Sequence, residues 1–315
     1  MAKLVNVDNI TYCGKEGQEI FSKSLYSLDL ASSGITMMDN VKGKQKIYNG
    51  DISSVFQEYS CAFTPEGEVI LNEDFIEPAK IKVNMEECYD AWENTWLVEQ
   101  TKVALDGGIP QTFAEWFFDK LVEKMKREYQ EIFWQGDTAH SGNTKKYLKV
   151  IDGIEKQLKA DGAKTITGSK ITAANVIAQV EGVIDAGLDI ADAGEVDTAD
   201  YAIMMNYADV RTLVTALGKL CCGNSTTDVF SNYAKSGDSV FINGFKVIPT
   251  MQSRHTIIFG NPKNLVLGYD TADSQIEYRL IDMRETTGDN MFRVIALTNI
   301  AAGKVNADLF TISSL

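Results

Sequence analysis

The segment PQTFAEWFFDKLVEKMKREYQEIFWQGDT, residues 110–138, decides how the chain is expected to fold. Apolar residues recur along it at a regular interval, at Phe113, Phe117, Leu121, Met125, Tyr129 and Ile132. A proline begins the segment, and Gly136 follows the last apolar pair. This pattern predicts one amphipathic helix over residues 110–134. At ~1.5 Å per residue it would be roughly 36 Å long, more than twice the average helix of about 11–12 residues.

The composition is that of a globular protein with a large core. The chain has 315 residues, of which 44% are apolar and 10% aromatic, enough for one large or two average domains. Its formal net charge of -14 gives no overall positive field with which to grip nucleic acid phosphates. The N terminus lacks an apolar signal core, and no apolar run reaches the length of a membrane span. The sequence therefore indicates neither secretion nor a membrane.

The cysteines and histidines form no pattern typical of an active site or a zinc site. The cysteines are odd in number and include no C-x-x-C pair, which favours reduced thiols in a cytoplasmic compartment: Cys13, Cys61, Cys88, Cys221 and Cys222. The two histidines, His140 and His255, lie in no nucleophile motif such as G-x-S-x-G. We expect no enzymatic activity and no cofactor.

An acidic segment, residues 185–200, is the best candidate for a cation site. Its carboxylates include Asp192, Glu195 and Asp197, whose oxygens could bind a hard divalent cation. The segment lacks the D-x-D-x-D-G register of a calcium loop, so a solvated loop is the alternative interpretation.

Residues 55–71 predict a long β-hairpin. Strand-like runs at 55–63 and 68–71 flank the turn sequence TPEG. A two-stranded hairpin is marginal in water by itself, so it must either pack on its own domain or lie across another subunit. The candidate inter-subunit contact residues are Phe56, Tyr59, Phe63 and Pro65.

The remaining patterns predict a mixed region and then strands to the end of the chain. A helix is expected from Asn84, where Glu87 completes the spacing of a capping box. A second helix within residues 169–189 turns four apolar residues inward: Val176, Val180, Val183 and Ile184. Residues 200–206 predict a buried strand followed by a helix, and Asn243-Gly244 predicts a type I′ hairpin.

In this order, the parts of the chain resemble the major capsid protein of tailed bacteriophages, which has the Hong Kong 97-type fold. The resemblance covers nearly the whole chain and rests on the succession IFWQGDT, ADYAIMMNYADVRTLVTAL, FINGFKVIPT, NLVLGYD and TGDNMFRVIA. It implies an α+β fold with an N-terminal arm, an extended β-hairpin loop, a long spine helix in a peripheral domain and a mixed α/β axial domain. The implied division is 1–45 arm, 46–105 extended loop and following helix, 106–150 peripheral domain with spine helix 110–134, 151–262 axial domain, 263–298 return strands of the peripheral domain and 299–315 C-terminal strand.

The resemblance also implies a structural function in a virion. Copies of the chain would assemble in the host cytoplasm into hexamers and pentamers of an icosahedral shell that encloses double-stranded DNA without sequence-specific binding. A separate scaffolding protein, a portal and possible decoration proteins would be its partners. Lys80 and Lys82 lie near the hairpin, but no feature of the sequence indicates that they form a covalent cross-link.

Three points stay open at the level of sequence. A basic strip on the spine helix could face the DNA or be simply solvated: Lys120, Lys124, Lys126 and Arg127. An encapsulin-type nanocompartment shell would share the fold. A cytoplasmic α/β enzyme fits the composition but lacks a convergent catalytic constellation.

Overall fold

Within the described residues, five strands come first, helices and strands mix through the middle of the chain, and strands follow to its end. A computed structural model of the protein describes residues 10–13, 30, 33–52, 56, 58–59, 61, 69–105, 112–194, 196–221, 235–236, 239–270, 277–284 and 286–315. The α-helices within these residues are α1 Tyr89–Leu105, α2 Phe113–Gln135, α3 Ile154–Ala160, α4 Val176–Ala193 and α5 Tyr207–Cys221. The strands there are β1 Ile10–Cys13, β2 Thr36–Met38, β3 Gln45–Ile52, β4 Val69–Ile76, β5 Ala79–Cys88, β6 Lys164–Thr167, β7 Ala202–Asn206, β8 Lys235–Ser236, β9 Ser239–Ile242, β10 Phe245–Thr250, β11 Ile257–Gly260, β12 Leu265–Gly268, β13 Glu277–Asp282, β14 Met291–Lys304 and β15 Thr311–Ser314.

The predicted spine helix is α2, and its apolar stripe is buried as expected. The six stripe residues are each at most 7% exposed. The helix begins at Phe113, so the prediction of residue 110 as its start was wrong. Thr112 caps the helix instead: its hydroxyl accepts a hydrogen bond from the Glu115 amide (3.3 Å), and the Glu115 carboxylate accepts one from the Thr112 amide (3.0 Å). This reciprocal capping box sets the helix start more firmly than the preceding proline.

Two glycines allow the end of α2 to pack directly against the start of α3. The Gly153 amide donates to the Gly136 carbonyl at 2.8 Å. A Cβ atom on Gly153 would lie 2.5 Å from the Gly136 nitrogen and 2.8 Å from the Trp134 carbonyl oxygen. Gly136 is needed for the same reason, because its own Cβ would lie 2.4 Å from the Ile151 carbonyl oxygen.

One sheet is built around β14. Strands β5 and β13 pair with opposite edges of β14 over residues 292–297, and β12 pairs with residues 301–304. Helix α2 packs along the same strand: the rings of Phe113 and Phe117 lie 5.5 and 5.1 Å from that of Phe292. Farther along, the Tyr129 hydroxyl donates to Thr298 at 2.6 Å. Helix and strand therefore share one long interface.

One sequence prediction near this sheet was wrong, that of a helix from Asn84. Residues 84–88 continue β5, paired with β14, and the helix begins only at Tyr89. Ten residues of backbone pairing outweigh a local capping signal, as tertiary context commonly does.

The described part of the expected N-terminal arm also contributes to the fold. Strand β1 pairs with β13, and β2 pairs with β12. Leu30, Ile35 and Val41 are buried, at 5% exposure or less. Strands of three or four residues carry too weak a periodic signal to be identified from the sequence, so these pairings were not predicted.

The second sheet has the order β6-β15-β11-β7-β10-β9-β8 among the described strands. Helix α4 contacts β11 and β15, and its four predicted inward residues are at most 1% exposed. The strand at 202–206 and the helix after it are confirmed; the Asn206 side chain caps that helix by accepting from the Ala208 amide (2.9 Å). Asn243 and Gly244 have φ of 49° and 86°, which confirms the type I′ turn. The main hydrophobic core extends across both sheets and α2.

Two buried glutamates near the end of α2 have opposite electrostatic environments. Burial alone would raise the pKa of Glu131, but hydrogen bonds from Tyr147 and Lys145 and the nearby Arg127 more than offset it and lower that pKa below its usual 4.5. On α3, burial raises the pKa of Glu155, and a hydrogen bond from the Ser253 amide only partly counteracts this.

Gly153→Ala should destabilise the protein by about 1–3 kcal/mol, because the added methyl overlaps backbone atoms that cannot move easily. Gly182→Ala is the matched control: it lies inside α4, and its Cβ would meet nothing within 4 Å. That change should stabilise by ~0.5–1 kcal/mol through lower chain entropy. Chemical denaturation midpoints measure both, and equal midpoints for the two variants would contradict the close-packing argument.

Glu131→Gln and Glu155→Gln should change the pH dependence of stability in opposite directions. The lowered pKa of Glu131 in the folded state stabilises the protein above the unfolded value near 4.5, and this stability is lost as pH falls through the folded pKa. Glu131→Gln should therefore reduce the loss of stability that the native chain undergoes in acid. A raised folded pKa gives stability that is present below the unfolded value and lost as pH rises through the folded pKa, so Glu155→Gln should gain stability relative to the native chain toward neutral pH. Thermal melts from pH 3 to pH 7 test both signs, and parallel curves for the three proteins would refute them.

Candidate assembly surfaces

The predicted hairpin exists, and its second strand begins where the sequence suggested, but its first strand lies elsewhere. Strand β3 pairs with β4 in the register Gln45↔Ile76 to Ile52↔Val69. The prediction of a strand over residues 55–63 was therefore wrong, since the described residues of that run, among them Phe56 and Tyr59, lie beyond the end of β3. Because β4 extends to Ile76, it pairs with residues 45–52 and not with residues 55–63. The composition of residues 55–63 gives no sign of this pairing.

Two of the four candidate contact residues are fully available to a partner. Phe56 is 94% exposed and Tyr59 is 89% exposed. Phe63 and Pro65 lie outside the described residues. The inter-subunit role of all four stays a prediction.

One face of the described part of the hairpin is largely apolar and open to solvent, and the charged residues on it, Glu73 and Lys46, pair with each other. Val69, Leu71 and Phe75 alternate along β4, so their side chains point to the same side of the ribbon. Tyr48 of β3 points to this side as well, because it pairs with Glu73, which lies between Leu71 and Phe75 on the same side of β4. The four side chains, here called the hairpin face, are 47–65% exposed: Tyr48, Val69, Leu71 and Phe75. Val69, Leu71 and Phe75 were not among the sequence candidates, although their period of two could have identified them.

The base of the hairpin is fixed to the sheet by apolar packing. Ile76 is fully buried against Val41, Val266 and Ala301. Glycine at 268 leaves room for it, because a Cβ there would lie 2.7 Å from the Ile76 methyl.

A buried lysine also holds the base. Lys304, at the end of β14, is 4% exposed and forms ion pairs with Asp74 of the hairpin (3.1 Å) and Asp161 (3.2 Å). Two carboxylates around one desolvated ammonium ion give a directional contact as well as charge balance. The role of this lysine could not be predicted from the sequence, because its partners are distant in the chain.

The acidic segment is only partly a loop. Residues up to Ala193 belong to α4, so the expectation of a continuous loop over residues 185–200 was wrong. Asp192 is exposed on that helix, and Asp197 accepts a hydrogen bond from the Ala199 amide (2.9 Å). Glu195 lies outside the described residues. Among the residues that the structure does describe, no group of three or more His, Cys, Asp or Glu could hold a metal ion, and the cation site stays a prediction.

Carboxylates neutralise most of the basic strip on the spine helix. Lys120 pairs with Glu99 (3.4 Å), Lys124 with Glu128 (3.1 Å) and Arg127 with Glu131 (3.3 Å). Lys126 is half-buried. These pairs leave little positive potential on this surface for phosphate groups.

Both histidines take part in local structure. His140 contacts the Thr144 carbonyl through Nε2 (3.1 Å), and His255 accepts from the Ile171 amide through Nδ1 (3.2 Å). The two free cysteines with described side chains are Cys61 and Cys88. None of the helices in the described ranges is at once long and apolar enough to span a bilayer.

The relatives of this chain are found through structure. No family model matches the sequence, and no curated protein matches it either. A chain of the procapsid of satellite phage P4, a structure that includes the size determination (Sid) protein, superposes with a TM-score of 0.61 at 11% identity, over 94% of this chain and 98% of that one. The capsid of Myoviridae phage XM1 gives 0.55 at 10% identity, covering 99% and 95%, and the capsid of a native GTA particle gives 0.51 at 11%, covering 99% and 95%.

These likenesses establish the fold. The chain has the fold of tailed-phage major capsid proteins, an α+β fold of the Hong Kong 97 type, as the sequence predicted.

Lys304→Met should loosen the hairpin, because it leaves Asp74 and Asp161 without their shared cation. The loss of stability should stay below the ~3–5 kcal/mol typical of fully buried pairs, since both carboxylates are partly exposed. Amide hydrogen exchange in residues 45–52 and 69–76 should become several-fold faster. Lys263→Met, which breaks an exposed pair with Asp200, is the control and should cost less than about 1 kcal/mol. Unchanged exchange in the hairpin of the Lys304 variant would show that the apolar packing alone holds it.

Proposed function

We propose that this chain is the major capsid protein of a tailed phage, a structural protein without enzymatic activity. Its copies form the hexamers and pentamers of an icosahedral shell, assembled in the host cytoplasm and retained in the virion. The proposal rests on one observation: almost all of this chain superposes on almost all of a chain from a phage procapsid. A shared fold by itself does not define a function, so the exposed surfaces must support the proposal independently.

The hairpin supplies that support. An exposed apolar ribbon has little reason to persist on a protein that acts alone, and the hairpin face adds to the exposed Phe56 and Tyr59 beyond it. A base fixed by Ile76 and Lys304 holds the ribbon in a defined direction. The proposal therefore places the hairpin on a neighbouring subunit.

The two sheets suit two positions in a shell. We assign the β14 sheet with α2 to the peripheral domain and the β7 sheet with α4 and α5 to the axial domain, around which five or six copies gather. Helix α2 acts as a stiff axis because it packs on β14 from Phe113 to Tyr129.

The charges fit a container for double-stranded DNA that does not bind it tightly. The net charge is -14, and three of the four cations on the spine helix are already paired. Affinity for duplex DNA depends on displacing counterions with many free cations, so confinement without sequence-specific binding is expected. A separate scaffolding protein, a portal and decoration proteins complete the proposed partners.

An encapsulin-type nanocompartment shell is the second candidate, since its shell would use the same fold. The contents of the particle distinguish the two: nuclease-protected double-stranded DNA favours the phage capsid, and a co-purifying cargo enzyme favours the nanocompartment.

Negative-stain microscopy of the purified protein should reveal closed shells or capsomer rings. The double variant Tyr48→Asp, Leu71→Asp should remain folded but fail to close shells, because it introduces two charges into the hairpin face. Glu73→Gln, on the same face, is the control and should assemble normally, since its exposed pair with Lys46 contributes little. Discrete small particles from the native chain would refute the proposed function, and normal shells from the double variant would refute the role of the hairpin face.

A further inference from the structure

A group of cations beyond the end of α2 extends the basic strip on the spine helix. After α2 the chain passes through a polar loop into a short 3₁₀ turn, Lys146–Lys149. The turn is fixed against the end of the helix, because Leu148 is buried and its carbonyl accepts a hydrogen bond from the Asp137 amide at 2.8 Å. The Tyr147 hydroxyl also donates to Glu131 of α2. The lysines of the turn therefore have defined positions beside the helix.

Two exposed cations share the buried carboxylate of Glu131. Arg127 Nε lies 3.3 Å from one of its oxygens, and Lys145 Nζ lies 3.0 Å from the other. The side chain of Glu131 is 5% exposed, whereas those of Arg127 and Lys145 are 65% and 46% exposed. One carboxylate balances only one of the two cations, so one positive charge remains at the surface here.

Lys145 reaches Glu131 from a backbone conformation that residues with a Cβ atom rarely adopt. Its φ is 54° and its ψ is 44°, in the left-handed region. Such conformations persist only where surrounding contacts hold them, and they cluster at functional sites. The ion pair with Glu131 is one such contact, and the unusual backbone marks the start of the 3₁₀ turn as a candidate site.

Two further lysines in the turn have no counter-charge. Lys146 and Lys149 are exposed and form no ion pair with any residue in the described ranges. They lie three residues apart in a helix with three residues per turn, so their side chains leave from the same side, ~6 Å apart along the axis. Together with the ion pairs that adjoin the turn, six cations face four carboxylates, an excess of two positive charges in a chain whose net charge is -14. The six cations, here called the basic patch, are Lys124, Arg127, Lys145, Lys146, Lys149 and Lys156, and the carboxylates are Glu128, Glu131, Asp137 and Asp152.

We propose that the basic patch binds phosphate groups of the double-stranded DNA inside the shell. The inference rests on the proposed function and identifies which surface of the chain faces the contents of the particle. An excess of two charges neutralises few phosphates, so the contact is weak, independent of base sequence and sensitive to salt. Such a contact agrees with a container that does not bind its DNA tightly.

The surroundings of the basic patch favour phosphate groups over a protein partner. Within residues 112–194 no large hydrophobic side chain is exposed, whereas the core of a protein–protein interface is apolar. Interfaces with DNA are more polar and more positively charged. The loop before the turn adds exposed hydroxyl and amide groups, at Ser141, Asn143 and Thr144, of the kind that donate hydrogen bonds to phosphate oxygens.

The salt dependence of DNA binding tests the basic patch. Fluorescence anisotropy of a labelled DNA duplex, titrated with the purified chain over a series of low salt concentrations, gives the slope of log affinity against log salt. Lys146→Gln combined with Lys149→Gln should make this slope shallower by about 1.8, because each neutralised phosphate contributes ~0.9. Lys164→Gln combined with Lys170→Gln is the matched control: it removes the same net charge from two exposed lysines that lie outside the patch and have no ion pair among the described residues. The control should keep the native slope.

A photo-crosslinking amino acid at position 143 tests the same contact in filled particles, where irradiation should give adducts with DNA. Native-like salt dependence in the patch variant, an equal change in the control, or adducts with protein alone would overturn the inference. Impaired shell assembly of the patch variant with unchanged DNA binding would also overturn it, because the patch would then contact a neighbouring protein. These failures leave the proposed function standing, since that function fails only if the native chain forms neither rings nor shells in the microscope.

Discussion

Strand β14 imposes the constraint on which most of this structure depends. Its fourteen residues need hydrogen-bond partners along both edges, because buried backbone groups without partners are costly. The strand takes them from β12 and β13, which precede it closely in the sequence, and from β5, which lies about two hundred residues earlier. The apolar face of the same strand then needs cover, and α2 is long enough to supply it. The length of the spine helix thus follows from the length of the strand beneath it.

The sequence predicted those elements whose signal is local. Helix α2 is visible from its 3.6-residue period, α4 from four inward apolar residues, and the turn at Asn243-Gly244 from its dipeptide. The position of Tyr89 as the start of α1 could not be predicted, because the residues before it are held in β5 by pairing with a strand about two hundred residues later. The same holds for β3, whose extent depends on the register of β4.

The candidate surfaces show the same division between local and distant information. Exposed aromatics at Phe56 and Tyr59 follow from composition, since little sequence nearby could bury them. The roles of charged residues depend on neighbours that only folding supplies. Lys304 looks like any strand lysine, yet it is buried between two carboxylates, whereas Lys120 and Lys124 looked available and are paired. Charge in a sequence therefore gives the net field but not the free surface charge.

The net charge also limits which surfaces can join two copies of the chain. Subunits that each carry a charge of -14 repel one another, and at physiological ionic strength this repulsion is screened only beyond about 8 Å. Contacts at shorter range must come from faces that bring few uncompensated charges together. The hairpin face meets this condition, because the carboxylate beside its apolar side chains, that of Glu73, is paired with Lys46. Strand β5 begins at Ala79, directly after the hairpin, and pairs with β14, so the strand pair that organises the core also anchors the surface by which copies of the chain would associate.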